Sequence, residues 1–130
     1  MSKLGCPCGH IISDNTDNLP YKGDILPDTH QEQFFSGVAD ELAAYIKAVR
    51  EGQTEAWLKK TGHLGLGLSD SDIVHDWMAG RFLSLKRDIC ECEACGRILI
   101  ETGEKKGDAL LFQSYSPDNG KFNVILAPRK

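Results

Sequence analysis

Two short cysteine-rich stretches decide the fold of this chain: Cys6-Pro7-Cys8-Gly9-His10 near its start and Cys90-Glu91-Cys92-Glu93-Ala94-Cys95-Gly96-Arg97 further on. They contain all five cysteines of the 130-residue chain, and none lies between Cys8 and Cys90. In an intracellular protein, two tight clusters of this kind indicate metal ligands before they indicate disulfides. We therefore expect the two stretches to meet at a metal ion.

Four thiolates favour zinc, because this ion is borderline-soft, accepts a tetrahedral sulfur set and has no redox chemistry of its own. Gly9 and Gly96 follow the second cysteine of each pair, where glycine tolerates a positive φ and a close approach to sulfur. We predict one structural Zn²⁺, and the predicted ligands are Cys6, Cys8, Cys92 and Cys95.

Two other residues compete for a place in this ligand set. Cys90 lies two positions before Cys92, so on an extended strand both side chains point to the same face. A buried cysteine also behaves as a small apolar side chain, and that is the role we predict for Cys90. His10 is the other alternative, as a substitute for Cys6 or Cys8.

Length and composition describe an ordinary globular protein: 41% of the residues are hydrophobic and 26% are charged. A chain of this length is typical of one domain. The start, Met1 to Cys6, has no apolar stretch typical of a secretion signal, and no run approaches the ~20 apolar residues of a membrane span. We expect a cytoplasmic protein of bacterial type without a membrane segment.

The middle of the chain predicts three helices. Thr29 and Glu32 have the spacing of a capping box, and one apolar stripe follows before Gly52 ends the first helix. Its members are Phe34, Phe35, Val38, Leu42, Tyr45, Ile46 and Val49. A second helix runs from Thr54 to Lys60, and a third begins near Ser69 or Ser71.

Strand patterns surround the cysteine stretches. A short strand, Gly9–Ile12, leaves the first stretch, and a polar loop then extends to Asp28. The later strands are predicted at Phe82–Cys90, Arg97–Glu101, Leu110–Tyr115 and Phe122–Leu126.

These elements predict an α+β fold: an antiparallel sheet of about four strands with a helical insertion between the two metal-binding knuckles. We expect one zinc-stapled domain over residues 1–130. Within it, residues 1–27 form the first knuckle and loop, 28–80 the helical insertion, and 81–130 the second knuckle and β-meander.

The second cysteine stretch resembles the knuckle hairpin of zinc-ribbon proteins: a strand, then Cys92-Glu93-Ala94-Cys95-Gly96-Arg97, then another strand. The first stretch resembles the partner knuckle with one residue fewer: Cys6-Pro7-Cys8-Gly9. The resemblance covers about a third of the chain and leaves out the helical insertion. The arrangement is also similar to small uncharacterised bacterial zinc-ribbon proteins, and this similarity implies a toxin-neutralising, immunity-type role. A zinc ribbon alone selects no function.

Charge is distributed unevenly along the chain. Residues 28–80 contain nine acidic and four basic side chains, a net charge of −5, whereas the whole chain carries −4. An acidic surface favours a basic protein partner, and a nucleic-acid binder would show a basic stripe instead. We therefore predict a non-enzymatic zinc protein that binds another protein, such as a basic toxin domain, and we consider nucleic acid an unlikely partner.

Two alternatives are kept. The first is a nucleic-acid-associated zinc-ribbon module, whose basic rim would be Lys86, Arg87, Arg97, Lys105, Lys106, Lys121, Arg129 and Lys130. The second is a metal-dependent hydrolase, because Asp72, His75 and Asp76 share one face of a helix. The same spacing is typical of a solvated face near a helix N-terminus.

Overall fold

A computed structural model describes residues 3–129. Met1, Ser2 and Lys130 lie outside the described residues, so the predicted role of Lys130 in a basic rim is not addressed. The chain divides into two compact units, one made of the residues up to Ile25 and from Arg87 onward, the other of Leu26–Lys86. We call them the cysteine unit and the helical unit; that the whole chain acts as one zinc-stapled domain stays a prediction.

The cysteine unit contains two antiparallel sheets. Strands β1 (Lys3–Gly5) and β2 (Ile11–Ser13) form a hairpin around the first knuckle. Four further strands form a sheet in the order β3-β4-β5-β6: β3 (Lys22–Ile25), β4 (Arg87–Glu91), β5 (Ile98–Lys106) and β6 (Ala109–Tyr115). The predicted α+β class, with helices between the strands, is confirmed.

The strand β3 lies in a segment that the sequence predicts to be a loop. Its residues Lys22-Gly23-Asp24-Ile25 have low intrinsic strand propensity, yet they pair with β4 from Lys22–Cys90 to Ile25–Arg87. Gly23 lies close to Ile89 of β4 and to Leu126, since a Cβ at that position would be in van der Waals contact with both side chains. Tertiary packing, not local preference, makes this strand.

The helical unit holds α1 (Asp28–Arg50), α2 (Thr54–Thr61) and α3 (Asp70–Leu85). Ser69 caps α3 in a reciprocal capping box with Asp72, and the helix thus begins where the sequence predicts it, near Ser69 or Ser71. The capping box predicted at Thr29 is wrong: α1 begins at Asp28 after Pro27, without a side-chain cap.

The strand predicted at Phe82–Cys90 is also wrong in its first half, because α3 continues to Leu85 and β4 begins at Arg87. A short apolar run does not distinguish helix from strand by itself. Here the last turns of the helix are packed: Leu85 is buried, and Phe82 stacks edge-on against Phe34, with ring centroids 5.8 Å apart.

Two corrections concern the end of the chain. Strand β5 does not stop at Glu101 but continues to Lys106, past a register shift between Glu101 and Lys105. The strand predicted at Phe122–Leu126 is absent from the described residues, and the segment is irregular there, with Val124 at φ 56°. This tail is held by a side chain instead, as described below.

The core of the cysteine unit is small. Its buried apolar side chains are those of Cys6, Ile12, Tyr21, Cys90, Cys92 and Leu99. Three of these six are cysteines, and two of the three belong to the predicted ligand set. A unit with so little apolar volume gains much from a metal cross-link.

Candidate metal centre

The two knuckles have the same backbone hydrogen bonds. In the first, Gly9 N donates to Cys6 O at 2.9 Å and Cys6 N donates to His10 O at 2.9 Å. In the second, Gly96 N donates to Cys92 O at 2.8 Å and Cys92 N donates to Arg97 O at 2.8 Å. The two turns differ by one residue in length, yet each presents a pair of sulfurs to one point.

Both turns need a glycine after their second cysteine. Gly9 has φ +95° and Gly96 has φ +75°, a region that favours glycine. Gly96 is constrained further, because a Cβ there would overlap the carbonyl oxygen of Lys121 and the nitrogen of Phe122. The tail of the chain therefore lies directly against the second knuckle.

The structure brings together the four cysteines that the sequence singled out. The sulfurs of Cys6, Cys8, Cys92 and Cys95 all lie within 4.8 Å of one another. Cys6 Sγ is 3.6 Å from Cys95 Sγ, and Cys8 Sγ is 3.7 Å from Cys92 Sγ. Each close pair thus joins one knuckle to the other, across 89 and 84 positions of sequence.

These distances fit a tetrahedral ion. Zinc–sulfur bonds of about 2.3 Å in a tetrahedron place the sulfurs about 3.8 Å apart. The two close pairs match this value, so the four cysteines could hold one metal ion. Among residues 3–129, no other group of three or more histidine, cysteine or acidic side chains gathers in this way.

The two competing residues are not in this group. Cys90 is buried on β4, opposite Leu99 of β5. Burial first, and then the nearby charge of Asp14, raises the pKa of the Cys90 thiol to about 11, which suits an inert packing residue. His10 Nε2 lies 3.9 Å from Glu93 of the other knuckle.

Three of the clustered thiols differ in acidity. Burial raises the pKa of Cys6 to about 12 and also raises the pKa of Cys92. Burial acts in the same direction on Cys95, but hydrogen bonds from the backbone and guanidinium of Arg97 outweigh it and lower that pKa to about 6. Cys95 is thus the most acidic of these three thiols, and a bound cation would favour the thiolate form of its ligands.

Arg97 is a functional residue that sequence reasoning assigned elsewhere. Its guanidinium nitrogen donates to Cys95 Sγ at 3.5 Å, where it would offset part of the negative charge that four thiolates bring to a bound ion. The sequence placed it in a basic rim for nucleic acid. Its position directly after Cys95-Gly96 is the signal that could have revealed this role.

Glu91 is the second residue that sequence reasoning missed. Its side chain is fully buried between Cys90 and Cys92, and its carboxylate accepts hydrogen bonds from the backbone nitrogens of Asn123 at 2.9 Å and Ile125 at 3.0 Å. A buried carboxylate with two backbone donors is satisfied. Glu91 therefore clasps the tail beside the knuckle, in place of the predicted last strand.

The hydrolase residues are engaged in other contacts. Asp72 accepts hydrogen bonds from the backbone and hydroxyl of Ser69 as part of the α3 cap, and Asp76 pairs with His63 Nε2 at 2.8 Å. His75 lies beside apolar residues of α1 and α3. The three side chains do not form a metal-ligand group in the described part of the chain.

The geometry therefore defines a mixed α+β protein with a candidate four-cysteine metal centre. A family model described as "Domain of unknown function (DUF8617)" matches residues 2–119, so the chain belongs to this family. The match includes both knuckles and all three helices. No curated protein and no solved structure matches the chain.

Within residues 3–129, no helix combines the length and the apolar character that crossing a membrane requires.

Proposed function

We propose that this chain is a non-enzymatic, cytoplasmic protein that uses one structural Zn²⁺ to hold its cysteine unit and binds another protein through its helical unit. The four clustered sulfurs carry the proposal. A catalytic zinc has typically three protein ligands and an open position, whereas four cysteines complete the tetrahedron. The centre is thus suited to a structural role, which the zinc-ribbon resemblance also implies.

Exposed acidic side chains on the helical unit support a basic partner. Asp40 on α1, Glu51 after it and Glu55 on α2 are all exposed. Such charges accelerate the encounter with an oppositely charged surface. An immunity protein that covers a basic toxin domain is the specific form of this proposal.

The nucleic-acid alternative is less well supported. The guanidinium of Arg97 donates a hydrogen bond to Cys95 Sγ, and the guanidinium of Arg87 lies 3.9 Å from the carboxylate of Glu101. Of the remaining basic residues, Lys105 and Lys106 follow Glu101 and Glu104 on β5, and these acidic neighbours weaken the attraction of that strand for phosphate.

The zinc part is tested by elemental analysis of the reduced, folded protein. We expect about one zinc per chain. A folded, reduced sample without metal would contradict the proposal.

The partner part is tested by affinity capture from the native host with the wild type and two charge variants. In the first variant Asp40, Glu51 and Glu55 become lysine; in the matched control the exposed Glu104, Asp108 and Asp118 of the cysteine unit become lysine. We expect the wild type and the control to retain a specific protein at low salt, where the attraction between exposed charges is not screened. The first variant should lose this protein, because its lysines repel a basic partner. Equal retention by all three proteins at every salt concentration would reject the acidic surface as the contact.

A further inference from the structure

The apolar stripe of α1 is split between the interior and the surface. Tyr45 and Ala48 are buried, and Phe34 and Val38 are partly buried. A second row lies beside them: Phe35, Ile46 and Val49 are exposed by 62%, 41% and 48%, and Leu42 at its centre is half-buried. We call this second row the outer seam; its residues are Phe35, Ala39, Leu42, Ile46 and Val49.

The outer seam has the spacing of a helix–helix interface. Its residues follow one another at intervals of four, three, four and three positions, the pattern that keeps apolar side chains facing a neighbouring helix. It extends over about 21 Å of helix. Apolar side chains that are exposed together on one face mark interaction surfaces when the patch they form is large.

Small side chains accompany the seam. Ala39 within it and Ala43 beside it are both exposed. Small residues let the backbone of a second helix approach closely, so that the larger side chains at Phe35, Leu42 and Val49 can interdigitate. The seam is therefore shaped for a helix and not for a flat surface.

The charges of α1 show which helix fits. Its first turns carry Asp28 and Glu32, and its last turn carries Lys47 and Arg50. On an ideal helix Glu32 and Arg50 project on the same side, next to the seam. A second α1 in antiparallel orientation would place the acidic end of each copy beside the basic end of the other.

We propose that two copies of this chain pair through their outer seams, antiparallel and about a two-fold axis near Leu42. Phe35 of one copy then packs near Val49 of the other, and Glu32 of one copy faces Arg50 of the other. This interface is isologous, because the same surface serves both copies. It involves no residue of the cysteine centre, and it does not depend on the function proposed above.

Sedimentation velocity over a wide concentration range tests the pairing. We expect a monomer–dimer equilibrium for the wild type. Ile46→Glu should raise the dimer dissociation constant at least roughly tenfold, since pairing would desolvate a carboxylate without a partner. The matched control is Leu83→Glu, because Leu83 is 64% exposed on α3 outside the seam; it should leave the dissociation constant unchanged.

A charge swap tests the orientation. Glu32→Arg and Arg50→Glu should each weaken the dimer, since each places like charges together. The double variant Glu32→Arg/Arg50→Glu should restore wild-type affinity, because antiparallel pairing re-forms both pairs with reversed sign. Circular dichroism and metal content should be unchanged in all variants, since these side chains are exposed.

Three outcomes would overturn the proposal: a wild-type monomer at all concentrations, a dimer that Ile46→Glu does not weaken, or a double variant that stays as weak as the single ones. A monomer that nevertheless retains a host protein, lost on Ile46→Glu, would assign the seam to that partner instead. None of these outcomes changes the expected zinc content, so failure here is distinguishable from failure of the zinc proposal.

Discussion

The interiors of the two units of this chain are stabilised by different kinds of interaction. The helical unit has an aromatic core in which Trp57 and Trp77 meet with ring centroids 4.5 Å apart and Tyr45 contacts both. The core of the cysteine unit contains Tyr21, but three of its six buried apolar side chains are cysteines, and the carboxylate of Glu91 is fully buried beside them. The helical unit thus relies on the packing of aromatic rings, whereas the cysteine unit combines apolar packing with specific bonds from polar and sulfur atoms.

Removal of one sulfur should produce the largest difference between the units. Cys92→Ser is expected to lose the metal and unfold the cysteine unit, because structural zinc contributes on the order of 10 kcal/mol. The fluorescence of Trp57 and Trp77, both in the helical unit, should remain native. Elemental analysis and tryptophan emission measure the two effects.

The matched control is Cys90→Ser. Cys90 lies outside the sulfur cluster, so this variant should keep stoichiometric metal and lose about 1–3 kcal/mol for burying a hydroxyl. Equal loss of metal from both variants would place Cys90 among the ligands.

Truncation of an aromatic side chain should reverse the pattern. Trp77→Ala is expected to destabilise the helical unit by about 3 kcal/mol, the lower part of the range for such changes, because Trp77 contacts Tyr45, Trp57 and His63. Thermal unfolding followed by helical circular dichroism reports the loss, and metal content should be unchanged. If the metal is lost as well, the two units unfold together.

The clasp at Glu91 should give a smaller effect that is confined to the cysteine unit. Glu91→Gln removes the charge and leaves a side-chain amide with only one acceptor oxygen. One of the two tail nitrogens, those of Asn123 and Ile125, therefore loses its acceptor. The expected cost is about 1.5–3 kcal/mol. Hydrogen exchange at the amides of Asn123 and Ile125 should accelerate, whereas Glu104→Gln, at an exposed position, should leave both rates unchanged.

The cap of α3 should give the smallest effect. Ser69→Ala is expected to cost the helical unit about 1 kcal/mol. Hydrogen bonds from the side chain and backbone of Ser69 lower the pKa of Asp72 below its usual 3.8, so the part of the cap made by the Asp72 carboxylate is present above about pH 4 and is lost as the pH falls further. The bond from Asp72 N to Ser69 Oγ does not titrate. The stability difference between the wild type and the variant should therefore shrink in acid without vanishing.

Thr29→Ala is the matched control for this cap, because Thr29 makes no cap in α1. It should change the stability of the helical unit by less than about 0.5 kcal/mol. Carbon-detected NMR of the Asp72 carboxyl should show its pKa rising in Ser69→Ala and not in Thr29→Ala.

Local sequence signals predicted the cysteine cluster well, because each knuckle is a short turn whose backbone geometry is set by a few consecutive residues, and this turn brings its two sulfurs together. The start of α3 near Ser69 or Ser71 was predictable as well, because a helix cap is formed by neighbours in the chain. Other features that depend on distant neighbours were missed. The strand β3 exists because β4 pairs with it, and neither Gly23 nor Asp24 indicates a strand alone.

The same distinction explains the α1 stripe. Periodicity identifies which residues are apolar, but it does not say how many neighbours are available to cover them. Phe34 and Phe35 are equivalent in sequence, yet Phe34 stacks on Phe82 and Phe35 is exposed. The tail was misjudged because its hydrogen-bond acceptor is Glu91, a charged residue whose burial no local pattern reveals.

The separation of the two knuckles has a consequence for the order of events during synthesis. Cys8 and its close neighbour Cys92 are 84 positions apart, and ribosomes add about 5–20 residues per second. The first knuckle therefore leaves the ribosome roughly 4–17 s before the second, and the whole helical segment, Leu26–Lys86, is made in that interval. During this time Cys6 and Cys8 are half a binding site, with two thiols that can meet oxidants or other metal-binding molecules before their partners exist. Yield of the native protein should thus depend on how reducing and how zinc-replete the cell is in those seconds, independently of the stability of the finished fold.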